Sequence, residues 1–272
     1  MVLAEADAGL GDPAARRPLS EAEKASGVRF SEITALEEEY LAAVTPVLEG
    51  LRGVVDAEIL AALAGATTAS ALLDALEGLN AAPPARVLTT ATDAAEHVQD
   101  ALQAVYRGSS EVALREAGRQ GVHLLPEPLE ARVGAYEVAA RRVAMEPYSR
   151  ALEVARKELT NPQVLVGELL DQDFRPLALA NYSNAGVIDL ARQFSHGAIN
   201  TARFDTAETL PFQSGYCSEL RDLNTCSRCE SVDGQEVSSL AELRALYPNG
   251  GGYYACEGGA RCRGTGILRY RT

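Results

Sequence analysis

The sequence predicts a mainly α protein, an elongated helical body followed by a small C-terminal α+β domain of zinc-knuckle type. Three observations carry that expectation. Up to about residue 204 the chain is rich in Ala, Leu, Glu and Arg, and its apolar residues recur at helical spacing with no alternating strand pattern. All five cysteines, Cys217, Cys226, Cys229, Cys256 and Cys262, fall in the last fifth of the 272 residues. From Gly215 onward Gly, Cys and Arg replace large aliphatics, and so small a module usually needs a metal or disulfides to stand.

The elements follow in order. Residues 1–18 mix Gly, Ala, Pro and charge without a period, and read as a mobile arm ahead of a helical body at 19–204 and a cysteine-rich module at 205–272. Ser20 and Glu23 have capping-box spacing, which predicts a short helix. Leu36, Tyr40, Val44, Leu48, Leu51, Val55 and Ile59 step by four or three along one helical face. Pro46 lies inside this run and predicts a kink or a restart near Thr45. A further helix is expected at 69–79, ended by Asn80 and Pro83–Pro84. Thr90 to Asp93 has capping-box spacing ahead of Ala94, Val98, Leu102 and Val105, with Gly108 as an interruption and a resumption over 110–118. Pro126 and Pro128 are expected to open a helix carrying Leu129, Val133, Tyr136 and Ala140, disturbed at Pro147 and stopped by Asn161–Pro162. The last helical stretch is expected between Leu177 and Arg203, either continuous or interrupted near Asn181–Asn184. Helices of tens of residues, at about 1.5 Å each, make the body elongated. In the module, Tyr216–Asp222 and Gly266–Tyr270 read as strands, Thr225–Cys229 with the Val232–Gly234 turn as a knuckle, and Ser239 to Glu242 as the cap of a short helix ending at Tyr247–Pro248.

Lys plus Arg number 25 against 38 Asp plus Glu, a net charge of −13, which disfavours a protein that wraps nucleic acid over its whole surface. Apolar runs such as Ile59–Ala66 fall well short of a bilayer span, and the acidic N-terminus lacks the layout of a signal peptide. The reading is therefore a chain made in the cytosol, with no membrane partner. An odd cysteine count without an export signal argues against a disulfide framework and for a local thiolate site.

Cys226-x-x-Cys229 followed by Cys256 and Cys262 is the strongest chemical motif. A two-residue gap lets both sulfurs of a knuckle face one ion, and a second pair from a distant loop completes a tetrahedron. With four sulfurs no position stays open for a substrate, so the zinc would be structural. Ordinary reduced thiols and a redox pair are the alternatives, and Cys217 is either a spare strand residue or a replacement for Cys256 or Cys262. Ser195 and His196 are adjacent, so on a helix they point about 100° apart and do not form a nucleophile–base pair. Asn200 and Arg203, one turn apart, either pin the last body helix to the module or cap it. Arg261, Arg263, Arg269 and Arg271 cluster near the end, as a DNA or carboxylate contact or as a solvated strand face.

These residues resemble the C-terminal domain of phage Mu F-like head-morphogenesis proteins, the minor capsid proteins of tailed phages. The runs concerned are ARQFSHGAINTARFDTAE, YCSELRDLNTCSRCESVDGQEV and YPNGGGYYACEGGARCRGTG, and the likeness covers Leu190 to Thr272. An Asn-x-x-Arg element on a helix is matched by Asn200 and Arg203. A D-x-x-T-C-x-x-C-x-x-x-D-G segment is matched by Asp222, Thr225, Cys226, Cys229, Asp233 and Gly234, and a C-R-G close by Cys262, Arg263 and Gly264. The RRPLSEAE opening ahead of a long helical body is similar to actinobacteriophage members. Many members close with His-Pro-x-Cys-x-Cys; here no histidine follows His196, so Cys256 would take that ligand's role.

The resemblance implies a non-enzymatic virion component, present in the host cytoplasm during assembly and then at the capsid interior or portal vertex. Its partners would be the portal protein, alone or with a capsid or scaffolding protein, with a role in procapsid assembly, DNA packaging or delivery. Two alternatives stay open: a capsid-maturation protease, and a zinc-containing module that binds nucleic acid through the terminal arginines.

Overall fold

A computed structural model describes residues 20–160, 185–219, 225–248, 251–259 and 262–272. The protein is mainly helical, with a small antiparallel sheet and a cysteine cluster near the C-terminus. The residues group into two compact units. One is Met1–Leu41, Ala101–Ala135 and Asp189–Thr272; the other is Ala42–Asp100 and Tyr136–Ile188. This division differs from the expected boundary at 204/205, because the cysteine-rich module shares its core with helices from the body.

Helix α1 (Glu21–Ala25) starts at the expected capping box, the Glu23 N–H donating to Ser20 Oγ (3.2 Å) and the Ser20 N–H to Glu23 Oε2 (2.6 Å). Helix α2 (Phe30–Leu63) runs unbroken through Pro46. Pro46 removes one helical hydrogen bond, a cost of about 3 kcal/mol. Val44, Leu48, Leu51, Val55 and Ile59, all buried, outweigh it at roughly 1.5–3 kcal/mol each. The expected restart near Thr45 is therefore absent.

Helix α3 (Ala69–Ala81) is N-capped by Thr68, and α4 (Ala85–Arg119) follows Pro84, whose carbonyl accepts from the Leu88 N–H at 3.0 Å. Two expectations fail on α4. Thr90 is not a cap: its hydroxyl bonds back to Arg86 O (2.9 Å) within the helix. Gly108 does not interrupt it: a Cβ there would meet the Leu36 side chain, so the glycine permits close packing of α2. The helix ends in a Schellman motif, Val122 N–H to Ala117 O and Gly121 N–H to Gly118 O, with Gly121 at φ +94°.

The helix expected from Pro126 is also absent. Residues 122–136 are irregular, Val133 is fully exposed, and α5 (Glu137–Leu159) begins only after them. Residues preceding proline are steered away from the α region, and Leu125 and Glu127 each precede one, which disfavours a helix starting here. Helix α5 then passes through Pro147 without a break. In the second unit α3 packs on α5, where Tyr148 donates its hydroxyl to Leu79 O at 2.6 Å. The expected stop at Asn161–Pro162 and the interruption near Asn181–Asn184 lie outside the described residues.

Helix α6 (Ala185–Glu208) continues five residues past the expected end. It is tied to α4 by buried polar contacts: Ser109 Oγ to Ile199 O (2.8 Å), Ser110 Oγ with Thr206 Oγ1 (2.7 Å) and Tyr106 to Asp205 (2.7 Å). Then come β1 (Phe212–Ser218), α7 (Ser227–Val232), β2 (Glu236–Val237), α8 (Leu240–Leu246) and β3 (Thr265–Tyr270). The order β2-β1-β3 is antiparallel throughout, with Tyr216 opposite Ile267 and Gly215 opposite Val237. The capping box at Ser239–Glu242 forms, with its return bond one residue early, on the Ser238 N–H. The core of this region joins Val237, Leu243, Tyr247 and Leu268 to Leu114 and Ala117 of α4 and Phe204 and Ala207 of α6. No helix among the described residues is long and apolar enough to cross a membrane.

Candidate metal centre

Four cysteines converge where two loops meet. Cys226 is the N-cap of α7, and Cys229 lies within that helix, on its buried side. The short helix, started by its own knuckle, fixes this pair as the spacing predicts. Cys256 and Cys262 come from the irregular loop before β3. Cys226 Sγ is 3.9 Å from Cys256 Sγ, and Cys229 Sγ is 3.9 Å from Cys262 Sγ. In a tetrahedral thiolate site with metal–sulfur distances near 2.3 Å, the sulfur–sulfur edge is about 3.8 Å. The cluster could therefore hold a metal ion, and the donor set is soft and negatively charged when deprotonated.

The loops are shaped for it. The N–H of Tyr253 points at Cys262 Sγ (3.2 Å) and that of Gly258 at Cys256 Sγ (3.3 Å), the orienting bonds that thiolate ligands receive. Gly252 has no side chain because a Cβ would fall on Cys262. Burial pushes the Cys262 thiol up to about 12, with the nearby Glu219 charge adding to it, and pushes Cys229 up for the same reasons. At Cys226 slight burial works upward but is outweighed by the backbone N–H groups of Cys229 and Glu257, which bring the thiol down to about 7.

Cys217, the alternative ligand, belongs to neither donor group found among the described residues. It is wholly buried in the apolar core on β1, with backbone bonds to Gln235 and Gly234, and burial raises its thiol to about 11. Glu219 takes the place beside the sulfurs instead: its carboxylate groups with Cys229 and Cys262, Oε2 being 3.7 Å from Cys262 Sγ. Sequence reading missed it, since the only local signal was its position one strand step from Cys217. Burial raises its carboxyl to about 7, against hydrogen bonds from Tyr247 and the two thiols.

The Asn-x-x-Arg element does pin α6 to the module. Asn200 Nδ2 donates to Gly264 O (3.2 Å) and Gly251 O (3.3 Å), and Asn200 Oδ1 accepts from Thr265 Oγ1 (2.5 Å). Arg203, fully buried, donates to Glu116 Oε1 (2.6 Å) and Gly266 O (3.2 Å). His196 joins them, Nε2 lying 2.8 Å from Gly264 O, and burial lowers its pKa so that the ring is neutral. Ser195 turns away to bond Arg192 O (2.9 Å), so it and His196 do not face each other.

Of the other motif residues, Asp233 C-caps α7 and accepts the Glu219 N–H (2.9 Å), while Gly234 turns the chain at φ +83°. Thr225 immediately precedes the N-cap, and Gly264 leaves room for the Glu219 carboxylate. Asp222 and Arg261 lie outside the described residues. Arg263 lies 3.6 Å from the buried Glu37, which also pairs with Arg192 at 2.8 Å. Arg269 rests over the Tyr216 ring and pairs with Glu236 (3.2 Å), and Arg271 is exposed. Arg263 and Arg269 are thus each engaged with a carboxylate. No family model, curated protein or solved structure matches the chain.

Proposed function

We propose that this chain is a structural minor capsid protein of a tailed phage, of the Mu F-like head-morphogenesis type. It acts at the portal vertex in procapsid assembly, DNA packaging or delivery, with zinc held by Cys226, Cys229, Cys256 and Cys262. The observation that carries the reading is the lock between α6 and the cysteine loops. Of the residues behind the family resemblance, Asn200 bonds to Gly264 and Gly251 in those loops, Arg203 bonds to Gly266 of β3, and Asp233 accepts the N–H of Glu219 beside the sulfurs.

The donor chemistry suits zinc, which is borderline-soft and takes four sulfurs tetrahedrally. Four protein ligands leave no site for a substrate, and the zinc would supply cross-linking of the α7 knuckle to the loop before β3. A structural role is further supported by the separate engagements of Ser195 and His196, and by the core position of Cys217.

Co-expression with the portal protein of the same phage tests the reading. The account expects the chain to co-purify with portal rings and to carry one zinc per chain in the same fraction. A chain that stays apart from portal and assembling heads would overturn the assembly role. Normal cleavage of head-protein precursors in a variant with alanine at Ser195, His196 and Cys217 would eliminate the protease alternative.

A further inference from the structure

Five donors, not four, surround the cysteine centre. They fall into two groups with Cys229 in common: Cys226, Cys229 and Cys256 on the more open side, and Glu219, Cys229 and Cys262 wholly buried. Resting on the metal reading above, we propose that Glu219 is a metal ligand. It would be a further donor to the same single divalent cation as the four sulfurs, which Glu219, Cys229 and Cys262 hold from the buried side and Cys226 with Cys256 from the more open side.

The carboxylate is built into place. Its backbone N–H is anchored on Asp233 Oδ1 (2.9 Å), and Tyr247, itself fully buried, donates to Oε1 at 2.8 Å. That leaves Oε2 directed to Cys262 Sγ at 3.7 Å. For an ion with oxygen at 2.0–2.2 Å and sulfur at 2.3 Å, the tetrahedral oxygen–sulfur edge is about 3.6 Å. The absent side chain at Gly264 opens the space that the carboxylate fills. A carboxylate and two thiols buried together repel one another once ionised, and a cation shared among them removes that repulsion.

The test is titration of the full-length chain with cobalt(II), followed by thiolate-to-cobalt absorption, in wild type, C226S/C256S and C226S/C256S/E219Q. The proposal expects one cobalt per wild-type chain. The double variant should also bind one, more weakly, with about half the absorption as the thiolates fall from four to two. The triple variant should bind at least roughly 100-fold more weakly than the double, since losing a ligand exceeds the effect of losing an outer-shell partner. Adding Y247F to the double variant should weaken binding by about 10- to 100-fold, the effect of an outer-shell partner, and by less than adding E219Q; a larger loss from Y247F than from E219Q would overturn direct ligation by the carboxylate.

Equal binding by double and triple variants, or none by the double while wild type binds, would overturn the role of Glu219 and leave the four-cysteine reading standing. No binding by wild type would overturn both, and two equivalents would overturn the single-ion form. Circular dichroism of the metal-free proteins checks folding. If the double variant loses its helical signal, the comparison is made between C256S and C256S/E219Q, with the same outcomes deciding.

Discussion

The carboxamide of Gln120 bonds to Leu268 as a neighbouring strand would. Its Nε2 donates to Leu268 O (2.9 Å), and its Oε1 accepts the N–H of Tyr270, two residues on (3.0 Å). Along the same edge of β3, Arg203 takes the Gly266 carbonyl, and Asn200 with His196 takes that of Gly264. The carbonyls of 264, 266 and 268 and the N–H of 270 thus take side-chain partners from α6 and from Gln120 just past α4, which covers this edge of the sheet and seats the module on the helices.

Replacing Gln120 tests that edge. Q120A leaves the Leu268 carbonyl and Tyr270 N–H without their partner and also loses the bond to Ser26 O (2.7 Å). The expected loss is about 1–3 kcal/mol in urea unfolding, with faster amide exchange at Tyr270. Unchanged exchange there would show that the edge does not depend on the side chain.

The buried Arg203–Glu116 pair should show strong non-additivity. Burial pushes the Glu116 carboxyl up, while the Arg203 guanidinium pulls it down. R203M strands a buried carboxyl and should cost about 3–5 kcal/mol. R203M/E116L strands none and should recover a large part of that loss. Additive losses in a double-mutant cycle would contradict the coupling.

Gly252 sits against Cys262, so G252A should displace that sulfur. Metal affinity is expected to fall about 10- to 100-fold, with the helical signal retained. Wild-type affinity in a chelator competition would show that the close approach is not needed.

Proton competition gives the sign of the pH dependence. The raised thiols of Cys229 and Cys262 carry protons at neutral pH in the metal-free chain, so binding releases at least those two. Affinity should rise with pH between 6 and 8, by roughly 100-fold per unit for two protons. Below about 7 Cys226 also becomes protonated and the slope steepens. A flat profile in a competition titration would contradict thiolate ligation.

What the sequence showed and what it hid divides by range. Capping boxes at Ser20 and Ser239, the Tyr40–Ile59 stripe and the paired cysteines are local patterns, and each forms where its spacing says. Pro46, Pro147 and Gly108 looked like breaks because local propensity disfavours helix there, but burial of the flanking residues prevails. The partners Gln120, Glu116 and Glu219 left no periodic trace. Glu116 and Gln120 act across 87 and 148–150 residues, and a long-range contact has no spacing to read. Glu23 is the same case, a capping residue that also accepts from Ser218, 195 positions away (2.5 Å). These contacts explain why the module shares a compact unit with parts of the body.

The central claim is that the sulfurs around Cys229 hold one structural ion, and elemental analysis of the purified full-length chain tests it most directly. The account predicts one zinc per wild-type chain, retained through dialysis, and none in C229S, since Cys229 belongs to both donor groups. A wild-type chain that purifies without metal and with all five thiols open to titration would contradict it, as would a C229S chain that keeps its zinc.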